Sequence, residues 1–334
     1  MKRVFIGMVV IVASELGMLL RLEPFWSWHT PIAWTGYIVL VDGIVYRRRG
    51  NSWLSNSLPE FVFLAAVSFP LWLVFEFFNL FIRNWHYVNL PESRFWRDVG
   101  YAWAFATIWP AIFETAELVA SLRTRRIAAK TSNPAQVGSH VRMDAGKPGP
   151  GPAQFDEPRN SASAVPGDPG GVKMPLSKWG MASVVLGAAM LLWPLVWPSR
   201  YLAAPVWLGF IFLLDPLNAR AGGESLTADY RFSRELHPVP SSGAGRSAGD
   251  RTGPFDRAIN LMVGGLACGF VWELWNYWAR TKWIYTVPIL PNLKLFEMPL
   301  PGYLGFPAFA LECFTMYVCF RVLAGRRRGR PIAL

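Results

Sequence analysis

Residues 58–82 read LPEFVFLAAVSFPLWLVFEFFNLFI, and the only charged side chains in this run are Glu60 and Glu76. A helix rises about 1.5 Å per residue, so this run can cross the roughly 30 Å of hydrocarbon in a bilayer. So few charges over such a length are typical of a helix that is surrounded by lipid. The stretch therefore predicts a membrane-spanning helix in an integral membrane protein.

Seven more apolar stretches of similar character predict an all-α, polytopic protein of about eight transmembrane helices. The composition agrees, because 52% of the residues are hydrophobic and only 16% are charged, whereas a soluble domain averages about 25% charged. Trp and Tyr gather at the ends of the stretches, where such rings lie at the level of the lipid headgroups. The seven stretches are 4–20, 31–46, 100–120, 179–197, 201–217, 258–277 and 302–323.

The basic residues predict the orientation. The formal net charge is +11, yet Lys and Arg occur in short clusters between apolar stretches, which argues against a nucleic-acid partner. Most of them fall on one side if both termini are cytoplasmic, which predicts a multi-pass protein of the bacterial inner membrane. The first stretch follows Lys2 and Arg3 and could instead be a cleaved signal peptide, but cleavage would leave the first half one helix short.

Four segments follow along the chain. Residues 1–123 and 177–325 are each predicted to form four transmembrane helices. Residues 124–176 are rich in Pro, Gly and Ser, which predicts a disordered cytoplasmic linker, and a second polar loop at 219–255 has a similar character. Residues 326–334 form a basic cytoplasmic tail.

The two halves resemble each other at four places in the same order. WTGYIVLVD at 34–42 and WLGFIFLLD at 207–215 share five of nine residues. Because each half has four predicted spans, both would enter from the cytoplasm, as parallel repeats related by a two-fold axis along the membrane normal. The remaining matches pair Glu76, Asn79, Arg83, Trp85, Tyr87, Glu114 and Arg123 with Glu273, Asn276, Arg280, Trp283, Tyr285, Glu312 and Arg321.

The duplicated acidic residues are the candidate catalytic groups. A charged side chain at bilayer depth costs at least about 2.5–3.5 kcal/mol, so it needs a partner or a function. Helical spacing places each Glu, Asn and Arg of the third helix on one stripe, which we expect to face the bundle interior. Structural pairing between helices is the alternative. The predicted shared site comprises Glu76, Glu273, Glu114 and Glu312 as catalytic residues, with Asn79, Asn276, Trp85 and Trp283 binding substrate.

Other features have simpler interpretations. Asp42 and Asp215 are expected to pair with nearby Arg residues at the cytoplasmic interface, and the small residues at 264–269 favour close helix packing. Residues 284–301 contain four prolines and are predicted to lie at the outer interface, partly covering the bundle. The Trp-rich stretches favour interfacial belts over a substrate cage. No metal-binding motif or phosphate-binding loop occurs, so neither a metal nor a cofactor is predicted.

Trp275-Asn276-Tyr277, then Trp283-Ile284-Tyr285, then Pro307 and Glu312 resemble the motifs of the lycopene cyclase domain of carotenoid-producing microbes. The chain is also similar to bacterial multi-span proteins of unassigned function. The resemblance to the cyclase domain implies a small, duplicated membrane protein that closes rings in a long polyene by protonating it. It also implies that Glu312 and Glu114 are the proton donors.

Three functions remain open at this point. The first is a membrane enzyme in which Glu residues act as general acids or bases on a lipophilic, isoprenoid-like substrate, and the resemblance implies a cyclase or isomerase. The second is a proton-coupled transporter, which would share the intramembrane carboxyls. The third is a non-catalytic scaffold whose linker and basic tail contact proteins or anionic lipid. The expected partners are membrane lipids and a lipophilic small molecule.

Overall fold

The computed structural model describes residues 1–131, 176–227 and 254–326, and these are mostly helical. The predicted all-α class is confirmed. The helices are α1 (Lys2–Leu19), α2 (Phe25–Arg49), α3 (Trp53–Asn56), α4 (Leu58–Ile82), α5 (Arg94–Ala106), α6 (Ile108–Thr131), α7 (Lys178–Val196), α8 (Ala203–Arg220), α9 (Pro254–Trp278) and α10 (Gly305–Leu323), with a 3-10 helix at Leu300–Leu304. The short strands are β1 (Trp85–Val88), β2 (Lys282–Tyr285), β3 (Lys294–Leu295) and β4 (Met298–Pro299).

Five segments of the described chain are long and apolar enough to cross a membrane, and they indicate a membrane protein. They match five of the eight predicted spans. The helices α1, α2 and α8 are not among them; α1, for example, carries Lys2, Arg3 and Glu15 within 18 residues. The five segments are Leu58–Ile82, Arg94–Arg123, Lys178–Val196, Phe255–Trp278 and Leu300–Leu323.

Two predicted boundaries are wrong. The stretch 100–120 is not one helix, because α5 ends before Thr107, where the hydroxyl donates to the Ala104 carbonyl at 2.7 Å. The fourth helix does not end at residue 123 either, since α6 continues to Thr131 through Arg, Ala and Lys residues that favour helix. The rest of the predicted linker, most of the loop at 219–255 and the tail after residue 326 lie outside the described residues.

Glycines bring the first two helices of each half into close contact. A Cβ atom on Gly7 of α1 would lie 2.5 Å from the backbone nitrogen of Leu40 in α2. A Cβ atom on Gly187 of α7 would lie 2.4 Å from the backbone nitrogen of Leu213 in α8. Both pairs therefore pack backbone against backbone, which side chains larger than hydrogen would prevent.

Helices α4, α6, α9 and α10 form the centre of the bundle. Gly264 in α9 lies against α6, since its Cβ would meet the Cα of Ala116 at 2.8 Å. The neighbouring Gly265 lies against Ala310 of α10. The indole of Trp109 in α6 donates to the Cys313 carbonyl of α10 at 2.9 Å. These contacts agree with the predicted close packing of the small residues at 264–269.

Gly264→Ala is expected to destabilise the protein, because the added methyl would collide with stiff backbone atoms of α6, and overpacking costs about 1–3 kcal/mol. Gly305→Ala is the control, since nothing lies within 4 Å of its Cβ position. Gly264 lies inside α9 and Gly305 begins α10, so Gly264→Ala gains at least as much helix propensity, and a lower melting temperature at Gly264 measures the contact. Equal melting temperatures would contradict the observed packing.

Two arginines link the halves at the end of the bundle where α6 and α10 terminate. Arg123 of α6 donates to Asp256 at 2.7 Å and to Asn260 at 2.6 Å, both in α9. Arg321 of α10 lies 3.0 Å from Glu60 of α4. Helix α6 is thus attached to α9, and α10 is attached to α4.

Candidate functional site

Strands β1 and β2 form an antiparallel ribbon between the halves at the opposite end of the bundle. Trp85 faces Tyr285, and Tyr87 faces Trp283. The Thr286 amide donates to the Asn84 carbonyl at 2.8 Å. Hydrogen-bonded and non-bonded pairs alternate along an antiparallel ribbon, so Trp85 and Trp283 lie in non-bonded pairs and direct their backbone groups outward. Those outward groups need other partners.

Asn79 and Asn276 supply these partners. The amide nitrogen of Asn79 donates to the Trp85 carbonyl at 2.9 Å, and its oxygen accepts from the Asn84 and Trp85 amides. Asn276 binds both backbone groups of Trp283, each at 2.9 Å. The two asparagines, which the sequence predicts as substrate-binding residues, hold the edges of the ribbon.

The ribbon tyrosines connect to Glu76 and Glu273. The Tyr87 hydroxyl donates to Oε1 of Glu76 at 2.5 Å, and the indoles of Trp72 and Trp85 donate to the same oxygen at 2.8 and 3.1 Å. Three donors therefore surround this oxygen, and they can stabilise a negative charge on it.

The second half has a simpler arrangement. The Tyr285 hydroxyl donates to Oε1 of Glu273 at 2.8 Å and accepts from the Trp283 indole at 2.8 Å. Glu273 is fully buried, and its Oε2 has no hydrogen-bond partner among the described residues. Position 269 holds glycine where the first half has Trp72, so the second carboxyl lacks that indole donor.

Burial, and secondarily the adjacent carboxylate, raises the pKa of Tyr87 and of Tyr285 well above the usual value for tyrosine. Both phenols are therefore protonated at neutral pH and can donate hydrogen bonds. We define the two pairs, Tyr87 with Glu76 and Tyr285 with Glu273, as the Tyr–Glu pairs.

An aromatic cavity of about 520 Å³ lies beside the ribbon. It occupies the end of the bundle where α2, α6, α8 and α10 begin and where α4 and α9 end. Both halves contribute to the wall, and the residues of the predicted outer segment 284–301 contribute as well. The aromatic lining comprises Trp28, Trp34, Trp72, Trp85, Tyr87, Tyr101, Phe105, Tyr201, Trp207, Trp272, Trp283, Tyr285, Phe306 and Phe309.

The cavity changes the interpretation of the tryptophans. Trp85 and Trp283, predicted to bind substrate, both lie in its wall. Trp207 and Phe309 also lie there, with ring centroids 5.1 Å apart in an edge-to-face contact. Helices from both parts of the chain bring these rings to one cavity, an arrangement that fits a substrate cage as well as the predicted interfacial belts.

None of the four glutamates lines this cavity. Glu76 and Glu273 lie behind the ribbon tyrosines. Glu312 lies one helical turn beyond Phe309 and accepts a hydrogen bond from the Phe210 amide at 3.1 Å. Glu114 is fully buried, and neither of its oxygens has a hydrogen-bond partner in the described part of the chain. The single site predicted for all four carboxyls is therefore not formed around the cavity.

The polar stripe of Glu, Asn and Arg on α4 and α9 is shorter than predicted. Arg83 is exposed and follows the last residue of α4, with φ of 49°, so it does not continue the stripe. Arg280 likewise follows the end of α9, where it lies 3.9 Å from Glu23. Helical spacing could not reveal this, because both helices end before the arginine.

Asp42 and Asp215 have structural partners. Asp42 pairs with Arg3 at 2.6 Å and not with the arginines at 47–49. Asp215 accepts hydrogen bonds from the Ser225 and Thr227 hydroxyls at 2.9 and 2.8 Å, and not from Arg220. Both also accept an amide hydrogen bond from the loop that follows their helix. Their common role is to fix that loop.

Tyr87 and Tyr285 are candidate functional residues that the sequence did not assign. Their only signal was the repeated Trp-x-Tyr at 85–87 and 283–285, which was interpreted as a pair of headgroup anchors. Comparison of the chain with protein-family models, with curated proteins and with solved structures finds no match. Function must therefore be argued from the cavity and the Tyr–Glu pairs.

Proposed function

We propose that this protein is a membrane-embedded enzyme that moves protons on a lipophilic, isoprenoid-like molecule held in the aromatic cavity. The observation that carries the proposal is the pair of tyrosines in the cavity wall, each bonded through its hydroxyl to a glutamate that does not line the cavity. The proposal includes about eight membrane crossings as two parallel four-helix repeats, with both termini on the cytoplasmic side of a bacterial inner membrane.

Exposed apolar faces support the additional crossings. In α1, Phe5 and Leu19 are 70% and 68% exposed, although this helix packs closely on α2 along its other side. A face of that kind is stable in lipid and costly in water. The helix α7 has the same character, so α1 with α2 and α7 with α8 are natural hairpins on the two flanks of the bundle.

The ribbon supports two parallel repeats. A two-fold axis through its centre would exchange Trp85 with Trp283 and Tyr87 with Tyr285, and it therefore maps the Trp85–Tyr285 pair of the ribbon onto the Trp283–Tyr87 pair. The same operation exchanges the asparagines that hold the ribbon edges and the arginines that cross between halves. Parallel repeats with an axis along the membrane normal would produce this arrangement.

The Tyr–Glu pairs suit an acid and a base. The buried Glu273 can carry a proton, and its 2.8 Å hydrogen bond to Tyr285 connects it to the cavity wall. Tyr285 gives its hydroxyl proton to a carbon–carbon double bond in the cavity and takes the glutamate proton in its place, and the faces of the surrounding indoles stabilise the carbocation that forms. The carbocation then loses a proton to the Tyr87 oxygen while the Tyr87 hydroxyl proton passes to Glu76. Return of that proton from Glu76 to Glu273 resets the site, so the reaction is an isomerisation or ring closure with no net proton consumed.

The resemblance to the lycopene cyclase domain is consistent with this chemistry, but it implies different proton donors from those proposed here. It implied Glu312 and Glu114, whereas the cavity favours Glu273 and Glu76 acting through tyrosine. Glu312 and Glu114 are assigned a structural role in this proposal, because neither has a hydrogen bond to a described residue that lines the cavity.

The test uses a host that accumulates acyclic isoprenoids, both as hydrocarbons and as phosphate esters. The native chain is expected to convert one of them to an isomer of equal mass with a different chromatographic retention. Glu273→Gln and Tyr285→Phe are expected to lower the conversion at least about 100-fold, since a general acid contributes 10²–10⁴-fold. Tyr46→Phe is the matched control, because Tyr46 is exposed at the other end of α2.

Two results would contradict the proposal that this protein is an enzyme. One is an unchanged lipid extract with the native chain at comparable membrane levels. The other is full conversion by Glu273→Gln. If purified protein in liposomes instead carried protons, and Glu273→Gln abolished that flux while lipids stayed unchanged, a proton-coupled transporter would be the better assignment.

A further inference from the structure

Three cationic side chains line the aromatic cavity, and no acidic residue of the described chain does. They are Arg97 of α5, Arg200 in the turn between α7 and α8, and Lys282 of β2. Lys282 is paired with Glu297 at 2.6 Å. Within the described residues, neither Arg97 nor Arg200 has a carboxylate partner.

Neighbouring basic residues differ in this respect. Arg94 lies 3.7 Å from Asp98 on the same helix as Arg97, and Arg280 lies 3.9 Å from Glu23. Arg97 is half-buried, so its charge lies partly out of water against an aromatic wall. A guanidinium in such a place is stabilised by an anion, and its planar fork matches phosphate oxygens.

Unpartnered polar atoms occur in the same wall. The indole nitrogen of Trp28 and the hydroxyl of Thr30 are buried without a hydrogen-bond partner in the described chain, and both residues line the cavity. Buried donors usually have partners in folded proteins. The cavity wall therefore offers two cations and two free polar groups together with a large aromatic surface.

We propose that the cavity binds an isoprenoid whose head is a phosphate or diphosphate, with the head on Arg97 and Arg200 and the single apolar tail among the indoles. The inference rests on the proposed function, because it names the substrate class of the same cavity. A volume of about 520 Å³ lies in the usual range for a small-molecule site, about 300–1,000 Å³. A tail enclosed among the indoles has its double bonds beside Tyr285 and Tyr87.

The test measures quenching of tryptophan fluorescence in detergent-solubilised native protein by farnesyl diphosphate, farnesol and inorganic diphosphate. Farnesyl diphosphate is expected to bind at least tenfold more tightly than farnesol. Arg97→Gln and Arg200→Gln should each remove most of that difference and leave farnesol binding unchanged. Arg94→Gln is the control, since Arg94 is on the same helix, is exposed and does not line the cavity.

Each other outcome overturns the inference in a distinguishable way. Equal affinity for the alcohol and the diphosphate, with no effect of either arginine change, would refute the phosphate head and leave the lipophilic cavity intact. Quenching of equal strength by phosphatidylglycerol vesicles would show that a two-tailed lipid fills the site. Absence of quenching by both isoprenoids would refute the cavity ligand and, with it, the proposed function.

Discussion

Asn276→Leu is expected to open the β1–β2 ribbon and to raise amide hydrogen exchange at Ile284 and Thr286 at least about tenfold. The substitution leaves the backbone N–H and C=O of Trp283 without their 2.9 Å partners. Each buried backbone group left unpaired costs about 1–3 kcal/mol, and a cost of about 1.4 kcal/mol already shifts an equilibrium tenfold. Because the ribbon positions both tyrosines, cavity binding should weaken as well.

Two further variants make this prediction specific. Asn276→Asp keeps an acceptor for the Trp283 amide but loses the donor to its carbonyl, so its exchange rates should be intermediate. Asn292→Leu makes the same substitution at an exposed loop position and should leave the ribbon unchanged. Full protection of Thr286 in Asn276→Leu would show that the ribbon does not depend on the asparagine.

Arg321→Met is expected to destabilise the folded protein by about 3 kcal/mol or more, because removing one partner of a buried ion pair leaves uncompensated charge. The Arg321 side chain is 3% exposed and lies 3.0 Å from Glu60 and 3.2 Å from Glu224. Glu60 keeps Arg326 at 3.2 Å and the Tyr317 hydroxyl, which limits the loss.

The corresponding residue of the first half is the matched control. Arg123 is 32% exposed and its partner Asp256 is 47% exposed, so solvent screens their pair. Arg123→Met should therefore cost about 1 kcal/mol or less. Chemical denaturation in detergent micelles would compare the two variants. Equal losses would mean that the link through Arg321 is no stronger than an exposed ion pair.

The spans that the sequence predicted well have boundaries set by local chemistry. The helix Leu58–Ile82 has the predicted ends because polar residues lie on both sides and Pro59 falls in its first turn. The break between α5 and α6 has a weaker local signal. Pro110 falls in the first turn of α6, but no glycine or charged residue separates the two helices, so the sequence predicts one span across residues 100–120.

The candidate site was predicted in part for a similar reason. Repetition identified Glu76, Asn79, Trp85 and their counterparts, because duplicated residues are visible along the chain. It could not give their partners, since β1 pairs with a strand almost two hundred residues away. It also could not show that Glu76 bonds to a tyrosine of the cavity wall and Glu114 does not, because the face of a helix on which a residue lies does not identify the residues packed against it.

The ribbon also has a consequence for biosynthesis. Its two strands lie on either side of the long polar segment between the halves, so β1 emerges from the ribosome well before β2 exists. Asn79 can bond to the Trp85 backbone as soon as β1 is made, but the other edge of β1 has no strand partner until residue 285 has been synthesised. Such long-range pairing is slow and leaves the nascent chain open to wrong associations. The ribbon and the cavity wall are thus completed late in folding, and a chain that ends before residue 285 lacks part of the cavity wall.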